Sequence, residues 1–326
     1  MIGLKEKYLA MVQEDLDGIE QELESNLNPY LDLVRETASH LLFSGGKRFR
    51  PLLMVLCARL CGYQGNRDWL FSTAFEYIHA ATLLHDDLVD GADLRRGKPV
   101  AHSIFGAPTT VLVGDFLLAR ALSIGAKTGR MQVIEALSEV TEQMSQGEIL
   151  QLLRKGRLEM TEEEYLDVIL RKTAVLIQAA CRVGAIIADG KAAEESALSS
   201  YGLNIGFAFQ MADDLLDYTS DTQILGKGIG ADLKEGKLTL PLIHALKMAD
   251  GKDRRDMKRI VQNRNFSEAE FRKLVELMNR YGGLAYTREK AASHIETAKN
   301  ALDRFAPSDA KDILRFVADY AMARKM

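Results

Sequence analysis

Residues 164–188 read EYLDVILRKTAVLIQAACRVGAIIA, and their apolar side chains recur at the three- and four-residue spacing of an α-helix. Residues 271–305 repeat this spacing, whereas alternating strand patterns are hard to find in the chain. Several segments are apolar on most faces, and we expect them to form a central layer of helices: around 70–90, 108–125, 163–189 and 196–218. The pattern predicts an all-α protein, a large helical bundle.

Helix starts are marked by local signals. Thr161 with Glu164 and Ser267 with Glu270 have the spacing of capping boxes. Four of the six prolines stand where a helix could begin: Pro51, Pro108, Pro241 and Pro307. No linker, low-complexity segment or charge block divides the chain. We therefore predict one domain over residues 1–326.

The composition is that of a soluble globular protein, with 47% hydrophobic and 27% charged residues and a net charge of −4. This balance gives no indication of a nucleic-acid partner. Cys57, Cys61 and Cys181 lack the spacing of a metal site or a disulfide framework, which favours a reducing compartment. No export signal is visible, and no apolar run reaches the roughly 20 residues of a membrane span. We expect a cytoplasmic protein.

Two acidic clusters end apolar helical segments. DDLVD places Asp86 and Asp90 four residues apart, hence on one helix face, with Asp87 between them. FAFQMADDLLDY repeats the DDxxD spacing with Asp213, Asp214 and Asp217. A single such motif is common on solvated helix faces, but carboxylates gathered at apolar helices repel one another unless a cation lies between them. Mg²⁺ fits, and because it is usually held jointly by carboxylates and substrate phosphates, the pattern predicts a phosphorylated substrate.

Basic residues follow or precede these clusters in three loops. They are Arg95 and Arg96 after the first cluster, Lys227, Lys234 and Lys237 after the second, and Lys47, Arg48 and Arg50 upstream in SGGKRFRP. Guanidinium and ammonium groups are the usual direct contacts of phosphates. A solvated loop explains any one group alone, but three basic loops together favour a diphosphate site.

These motifs resemble those of the trans-type polyprenyl diphosphate synthases, in the same order along the chain. They are GGKRFRP, HDDLVDGADLRRG, KTA at 172–174, FQMADDLLDY and GKGIGADLKEGKLTLP, and they cover roughly residues 45–241. The resemblance implies an all-α bundle around a deep central apolar cavity, built as a homodimer. It also implies condensation of an allylic diphosphate with isopentenyl diphosphate, and a weak membrane contact for product release is compatible with it.

The resemblance assigns roles residue by residue. Mg²⁺, as three ions with substrate bound, would be held by Asp86, Asp90 and Asp213, with Asp87, Asp214 and Asp217 completing or supporting the metal shell. The implied contacts of the allylic substrate are Arg95, Lys172, Lys227 and Lys237, with Thr173 and Gln210 near the reacting carbons. Those of isopentenyl diphosphate are Lys47, Arg50, His79 and Arg96. The proton lost after condensation would go to the departed diphosphate.

Product length is expected to depend on the helix that ends at Asp86. Ala81 lies five residues upstream, roughly 7–8 Å deeper, and both Ala81 and its neighbour Thr82 are small. In the resembled family, bulky aromatic residues at these positions go with short products. We therefore predict a product between hexaprenyl and decaprenyl, made from a farnesyl or geranylgeranyl primer, with geranylgeranyl diphosphate as the shorter alternative. Ala81 could also be a plain helix-packing residue.

Rival interpretations fit less well. A terpene cyclase shares the first aspartate motif but needs no isopentenyl pocket, and its second motif usually mixes Asn, Ser and Glu. A non-catalytic subunit of a two-component synthase tends to lose the aspartate motifs, which this chain keeps. A di-iron carboxylate bundle requires Glu-x-x-His pairs, and the sequence has none.

Overall fold

The computed structural model describes residues 2–219, 230–263 and 265–322, with side chains from residue 6 onward. The helices of these ranges are α1 Ile2–Asn26, α2 Asp32–Leu42, α3 Phe49–Leu60, α4 Asp68–Val89, α5 Ala101–Phe105, α6 Ala107–Ala126, α7 Met131–Arg154, α8 Glu162–Ile169, α9 Val175–Ile187, α10 Ala192–Thr219, α11 Ala231–Lys234, α12 Leu240–Met248, α13 Gly251–Gln262, α14 Glu268–Arg280, α15 Gly283–Ala301 and α16 Asp309–Met322. The all-α prediction is confirmed.

The local helix signals act as predicted. Thr161 accepts a hydrogen bond from the Glu164 amide, and the Glu164 side chain accepts from the Thr161 amide, which completes the capping box of α8. Ser267 and Glu270 cap α14 in the same way. Pro108 and Pro241 stand in the first two positions of α6 and α12, Pro51 lies in the first turn of α3, and Pro307 precedes α16.

In the part of the chain that the structure describes, two non-α features interrupt the helices, and neither was predicted. Strands β1 (Leu94–Arg95) and β2 (Lys98–Pro99) form a two-residue antiparallel hairpin after the first aspartate motif. A π-helical turn, Leu170–Ala174, joins α8 to α9 and contains the KTA motif. Both are too short to leave a periodic signal in the sequence, and such π turns are frequent at functional sites.

The chain divides into two compact units. The first contains residues 1–141, 176–202 and 301–316. Its core is built on α4, which packs along α6 and also contacts α3 and α1. Phe75, Tyr77 and Ile78 of α4 are almost fully buried, and the Tyr77 hydroxyl donates to Leu23 O over 2.7 Å. Burial of each such Phe or Ile contributes about 1.5–3 kcal/mol, which fixes α4 and the aspartates at its end.

The second unit contains residues 142–175, 203–300 and 317–326. Its core joins the end of α10 to α12 and α14 through Met211, Leu215, Leu242, Leu274 and Met278. This packing fixes the end of α10, where the second aspartate motif lies. The single-domain prediction for residues 1–326 stays a prediction.

Helix α6 differs from the expectation of a buried central helix. Its apolar outer face is exposed, and Leu112 keeps 66% of its surface, with Val111 and Leu122 also exposed. The sequence shows that α6 is apolar on most faces, but it does not show which neighbour covers those faces. Within the described ranges, α6 is also the one helix long and apolar enough to cross a bilayer, a test that core helices of soluble proteins pass too.

Candidate active site

The first aspartate motif lies at the C-terminal end of α4. Asp86 and Asp90 are half-buried on one helix face, and the Asp90 amide donates to Asp86 O over 2.8 Å. The last carbonyls of a helix carry partial negative charge, so carboxylates placed there repel both the helix end and one another. The arrangement attracts a cation more strongly than the same residues on a solvated face would.

Asp87 has a different environment from its two neighbours. It is 5% exposed and accepts hydrogen bonds from Arg95, at 2.8 Å from Nε to Oδ2 and 2.6 Å from Nη2 to Oδ1. The β1–β2 hairpin makes this contact possible, because Arg96 and Gly97 at its turn have φ values of 52° and 75°. Asp87 therefore holds Arg95 at the end of α4, next to the aspartate motif, which agrees with a supporting role for Asp87.

Arginines gather around His79 on the same face of α4 as Asp86. Burial, followed by the positive charges of Arg50, Arg95 and Arg96, lowers the pKa of His79 well below its usual value. Arg96 Nη1 also donates to Gly45 O, which ties the hairpin to the Gly-Gly loop. Arg50, His79 and Arg96, three of the four residues predicted for isopentenyl diphosphate, thus lie together in a positive environment.

Lys47, the fourth of these residues, is exposed in the Gly-Gly loop and lines a separate pocket of about 260 Å³ with Phe43 and Glu20. Arg48 belongs to the protein core. Its side chain is 6% exposed and forms ion pairs with Glu20 at 2.5 Å and with Glu76 at 2.9 Å. The run KRFR therefore contains one buried structural arginine, which its spacing did not indicate.

The second unit contains a pocket of about 130 Å³ beside the second aspartate motif. Five predicted site residues line it: Lys172, Thr173, Gln210, Asp214 and Lys237. Lys172 Nζ lies 2.5 Å from Glu148 Oε2, and Lys237 Nζ lies 2.5 Å from Glu235 Oε2. Two ammonium groups, a carboxylate and two neutral polar side chains can together bind an anionic group at one end and a reacting carbon beside it.

A hydrogen-bonded chain of side chains connects the two motifs in this pocket. Thr173 Oγ1 donates to Gln210 Oε1 over 2.8 Å, and Gln210 Nε2 donates to Asp214 Oδ1 over 2.9 Å. Tyr165 Oη donates to the other oxygen of Asp214 over 2.6 Å. Burial and the nearby Asp232 raise the pKa of Asp214 to about 8, while the two donors act in the opposite direction. Asp214 thus supports the site through its neighbours.

Glycines let the surrounding helices approach the π-helical turn. A Cβ on Gly206 of α10 would lie 2.5 Å from Ala174 Cα, and one on Gly147 of α7 would lie 2.7 Å from Arg171 Cβ. Contacts below 3.0 Å do not occur between real side chains, so both positions need glycine. The close approach holds Thr173 within hydrogen-bond distance of Gln210.

The remaining residues of the second motif also differ in environment. Asp213 is half-buried beside Asp214 near the end of α10. Asp217 accepts from the backbone amides of Ala231 and Asp232, at 3.1 and 3.3 Å, and so anchors the start of α11. Lys227, predicted to lie near the allylic diphosphate, is outside the described residues.

The carboxylates fit a metal that binds together with its substrate. Within residues 2–219, 230–263 and 265–322, no group of three or more His, Cys, Asp or Glu side chains could hold a metal ion alone. Mg²⁺ is usually held by one or two carboxylates plus substrate phosphate oxygens and water. Paired carboxylates at a negative helix end, beside basic groups, are suited to a magnesium-diphosphate complex.

The two residues predicted to control product length have different environments. Ala81 is fully buried, whereas Thr82 is half-buried and its hydroxyl donates to His79 O over 2.9 Å. Thr82 lies one turn before Asp86 on the same face, while Ala81 is about 140° away around the helix. The predicted tunnel role of both residues stays a prediction.

Sequence reasoning missed the pocket residues Tyr165 and Asp232 and the ion-pair partner of Lys172, Glu148. Tyr165, Lys172 and Thr173 share one helix face at the spacing i, i+7, i+8, a signal that was available. Glu148 lies 24 residues before Lys172, and nothing in a single sequence indicates that the two form an ion pair.

The helical fold and the two aspartate motifs with their basic neighbours define an isoprenoid synthase. The family model described as Polyprenyl synthetase matches residues 31–278, and the chain belongs to this family. Membership makes it a prenyltransferase.

Similar proteins span nearly the whole chain. Octaprenyl diphosphate synthase of Escherichia coli is 38% identical over 319 residues, with 98% of each chain covered. A Caulobacter crescentus polyprenyl synthase, solved in complex with calcium and isoprenyl diphosphate, superposes with a TM-score of 0.91 at 40% identity, covering 98% of both chains. A Rhodobacter capsulatus decaprenyl diphosphate synthase gives the same TM-score and coverage at 36% identity.

Proposed function

We propose that the protein is a Mg²⁺-dependent polyprenyl diphosphate synthase. It condenses a farnesyl or geranylgeranyl primer head-to-tail with isopentenyl diphosphate and makes an all-trans product between hexaprenyl and decaprenyl, used for the side chain of an isoprenoid quinone. The observation that carries the proposal is that each unit pairs an acidic helix end with basic residues. In the first unit Arg95 donates to Asp87, which lies between Asp86 and Asp90, and in the second Asp214, the neighbour of Asp213, lines the pocket of Lys172 and Lys237.

The chain's own residues bind and orient the allylic substrate. Lys172, Lys237 and Arg95 contact its diphosphate, and Asp86, Asp90 and Asp213 would hold the metal ions, three with substrate bound. When bound, Mg²⁺ would neutralise the charge that develops on the diphosphate as the allylic C–O bond breaks. Thr173 and Gln210 lie beside the reacting carbons and direct oxygen atoms at the positive charge that forms there.

The second substrate binds in the positive environment around His79. Arg50, Arg96, His79 and Lys47 bind isopentenyl diphosphate and direct its double bond at the allylic carbon. The proton lost after the new C–C bond forms goes to the departed diphosphate. The apolar side chains along α4 exclude water, which would otherwise quench the cation.

A medium or long product is favoured by two observations. The relatives include enzymes named as octaprenyl and decaprenyl diphosphate synthases, and the positions upstream of Asp86 hold the small residues Ala81 and Thr82. A small side chain leaves room for a growing apolar chain, whereas an aromatic ring would fill it. Geranylgeranyl diphosphate is the shorter alternative.

We also propose a cytoplasmic homodimer. The outer face of α6 exposes Val111, Leu112 and Leu122, and Ile104 of α5 is exposed beside them in sequence. Several large apolar side chains exposed on neighbouring helices favour a subunit interface, and a two-fold pair would bury this face against itself. A weak membrane contact could then assist release of the apolar product.

The purified protein should be incubated with Mg²⁺, labelled isopentenyl diphosphate and each primer, and the dephosphorylated products sized. We expect products of 30 to 50 carbons, the hexaprenyl to decaprenyl range. A product of 20 carbons would assign the geranylgeranyl alternative, and no elongation with any primer would refute the enzyme. Light scattering should show a dimer that Leu112→Glu dissociates, whereas a monomeric wild type would contradict the homodimer.

A further inference from the structure

Tyr165 is a buried residue of α8 that no sequence motif includes. Its side chain is 2% exposed, lines the pocket of the second unit and donates to Asp214 Oδ2 over 2.6 Å. Burial and Asp214 raise the pKa of Tyr165 well above its usual value, so the hydroxyl keeps its proton. We propose that Tyr165 is a positioning residue, which, through Asp214 and Gln210, fixes the direction in which the Thr173 hydroxyl points; this inference rests on the proposed function.

The direction follows from which groups can donate. Because its pKa is raised, Asp214 carries a proton at neutral pH, and the hydrogen bond with Tyr165 keeps that proton at Oδ2. Asp214 Oδ1 is then left to accept from Gln210 Nε2, the only donor atom of that amide. The amide oxygen of Gln210 therefore faces Thr173 and can only accept. The single hydroxyl hydrogen of Thr173 is consequently used by Gln210.

The direction of the Thr173 hydroxyl decides whether its lone pairs or its hydrogen face the reacting carbons. A threonine hydroxyl has one hydrogen and two lone pairs, so Thr173 presents lone pairs to the pocket once its hydrogen points at Gln210. Lone pairs stabilise a developing allylic cation, whereas an O–H directed at that cation would destabilise it. Without the Tyr165 hydroxyl, the Asp214 side chain loses a hydrogen-bond partner and can rotate. The Gln210 amide group can then rotate by half a turn, which exchanges the positions of its oxygen and its nitrogen.

Single-turnover release of diphosphate from farnesyl diphosphate, with Mg²⁺ and saturating isopentenyl diphosphate, tests the proposal. Tyr165→Phe should slow this step roughly tenfold, the scale of losing a residue that orients a direct ligand, and leave the KM of both substrates unchanged. Tyr286→Phe is the matched control, because Tyr286 in the same unit donates to Glu162 over 2.8 Å and does not line the pocket. Equal rates in the two variants, at equal thermal stability, would overturn the proposal.

A double-mutant cycle with Thr173→Val separates positioning from a structural effect. If Tyr165 acts through Thr173, the double variant should be little slower than Thr173→Val alone; losses that multiply independently would overturn the proposal. If Tyr165→Phe does not fold, Asp214→Asn replaces it in the cycle with the same expected coupling. A wild-type protein that consumes no isopentenyl diphosphate refutes the proposed function itself, which is a separate outcome.

Discussion

Lys172 and Glu148 form an ion pair in which Nζ lies 2.5 Å from Oε2, with both side chains less than a quarter exposed. The pair holds the ammonium group of Lys172 in the pocket before substrate arrives. A diphosphate bound there brings negative charge of its own, so Glu148 and the substrate neutralise the same cation. The stability of the protein should then depend on whether Glu148 or a ligand supplies that charge.

Glu148→Gln should lower the free energy of unfolding by about 1–3 kcal/mol in the absence of ligand, because a partly buried ammonium group loses its charged partner. Farnesyl diphosphate with Mg²⁺ should recover most of this loss, so the variant gains more in melting temperature from the ligand than the wild type does. Asp189→Asn is the control, since Asp189 pairs with Arg130 on the surface. Equal ligand shifts in both variants would contradict the prediction.

His79 should make the protein sensitive to mild acid. Burial and neighbouring arginines hold the folded-state pKa of His79 well below 6.5, so the unfolded chain takes up a proton first as the pH falls. At neutral pH and above His79 has little effect, and it should cost stability progressively as the pH falls through 6.5, by at most about 1.4 kcal/mol per pH unit while only the unfolded chain is protonated. His79→Gln should remove this part of the acid loss in urea denaturation at pH 7.5 and 5.5.

His40→Gln serves as the comparison for His79, because His40 bonds Pro99 O at the surface of the same unit. Isopentenyl diphosphate should also weaken the acid sensitivity of the wild type, since its charge offsets the arginines. If His79→Gln and the wild type lose the same free energy of unfolding between pH 7.5 and 5.5, His79 is not the source of that loss.

The sequence predicted the helices well because their signals are local. The capping boxes at Thr161 and Ser267 involve residues three positions apart, so they could be located without knowledge of the fold. The different roles of the residues within each aspartate motif depend on partners outside the motif, so the motif alone does not indicate them. Asp87 is distinguished from Asp86 by Arg95 in strand β1, and Asp214 by Tyr165, 49 residues away in the chain.

The exposure of α6 was missed for a related reason. An apolar face shows that a helix should be covered, but it does not say whether its own chain or another molecule covers it. Leu112 and Val111 are therefore indistinguishable in sequence from core residues of α4 such as Ile78.

Gly206 should not tolerate even a methyl group. A Cβ at this position would lie 2.5 Å from Ala174 Cα, a backbone atom that cannot move unless α10 and the π-helical turn separate. Gly206→Ala should therefore destabilise the protein by about 1–3 kcal/mol and reduce activity, because Thr173 and Gln210 flank the contact. Thermal unfolding and initial rates measure the two effects.

Gly251→Ala is the control for Gly206→Ala, because it makes the same substitution where the added methyl group has room. A Cβ there meets Arg255 at an ordinary 3.6 Å, in the first turn of α13. Alanine is the better helix former, so this variant should be neutral or stabilised by up to about 1 kcal/mol. If Gly206→Ala behaved in the same way, the tight contact with Ala174 would have no energetic role.

Product length should respond to aromatic residues upstream of Asp86, with different costs at the two positions. Ala81→Phe places a ring at a fully buried site and should both shorten the product and destabilise the fold by about 1–3 kcal/mol. Thr82→Phe lies on the half-buried face that includes Asp86, so it should shorten the product with a smaller loss of stability. Product sizing and thermal unfolding of both variants test this, with Ala81→Val as the control for a modest volume increase. An unchanged product length in Ala81→Phe would remove Ala81 from the path of the chain, and the same result in Thr82→Phe would place that path away from this face of α4.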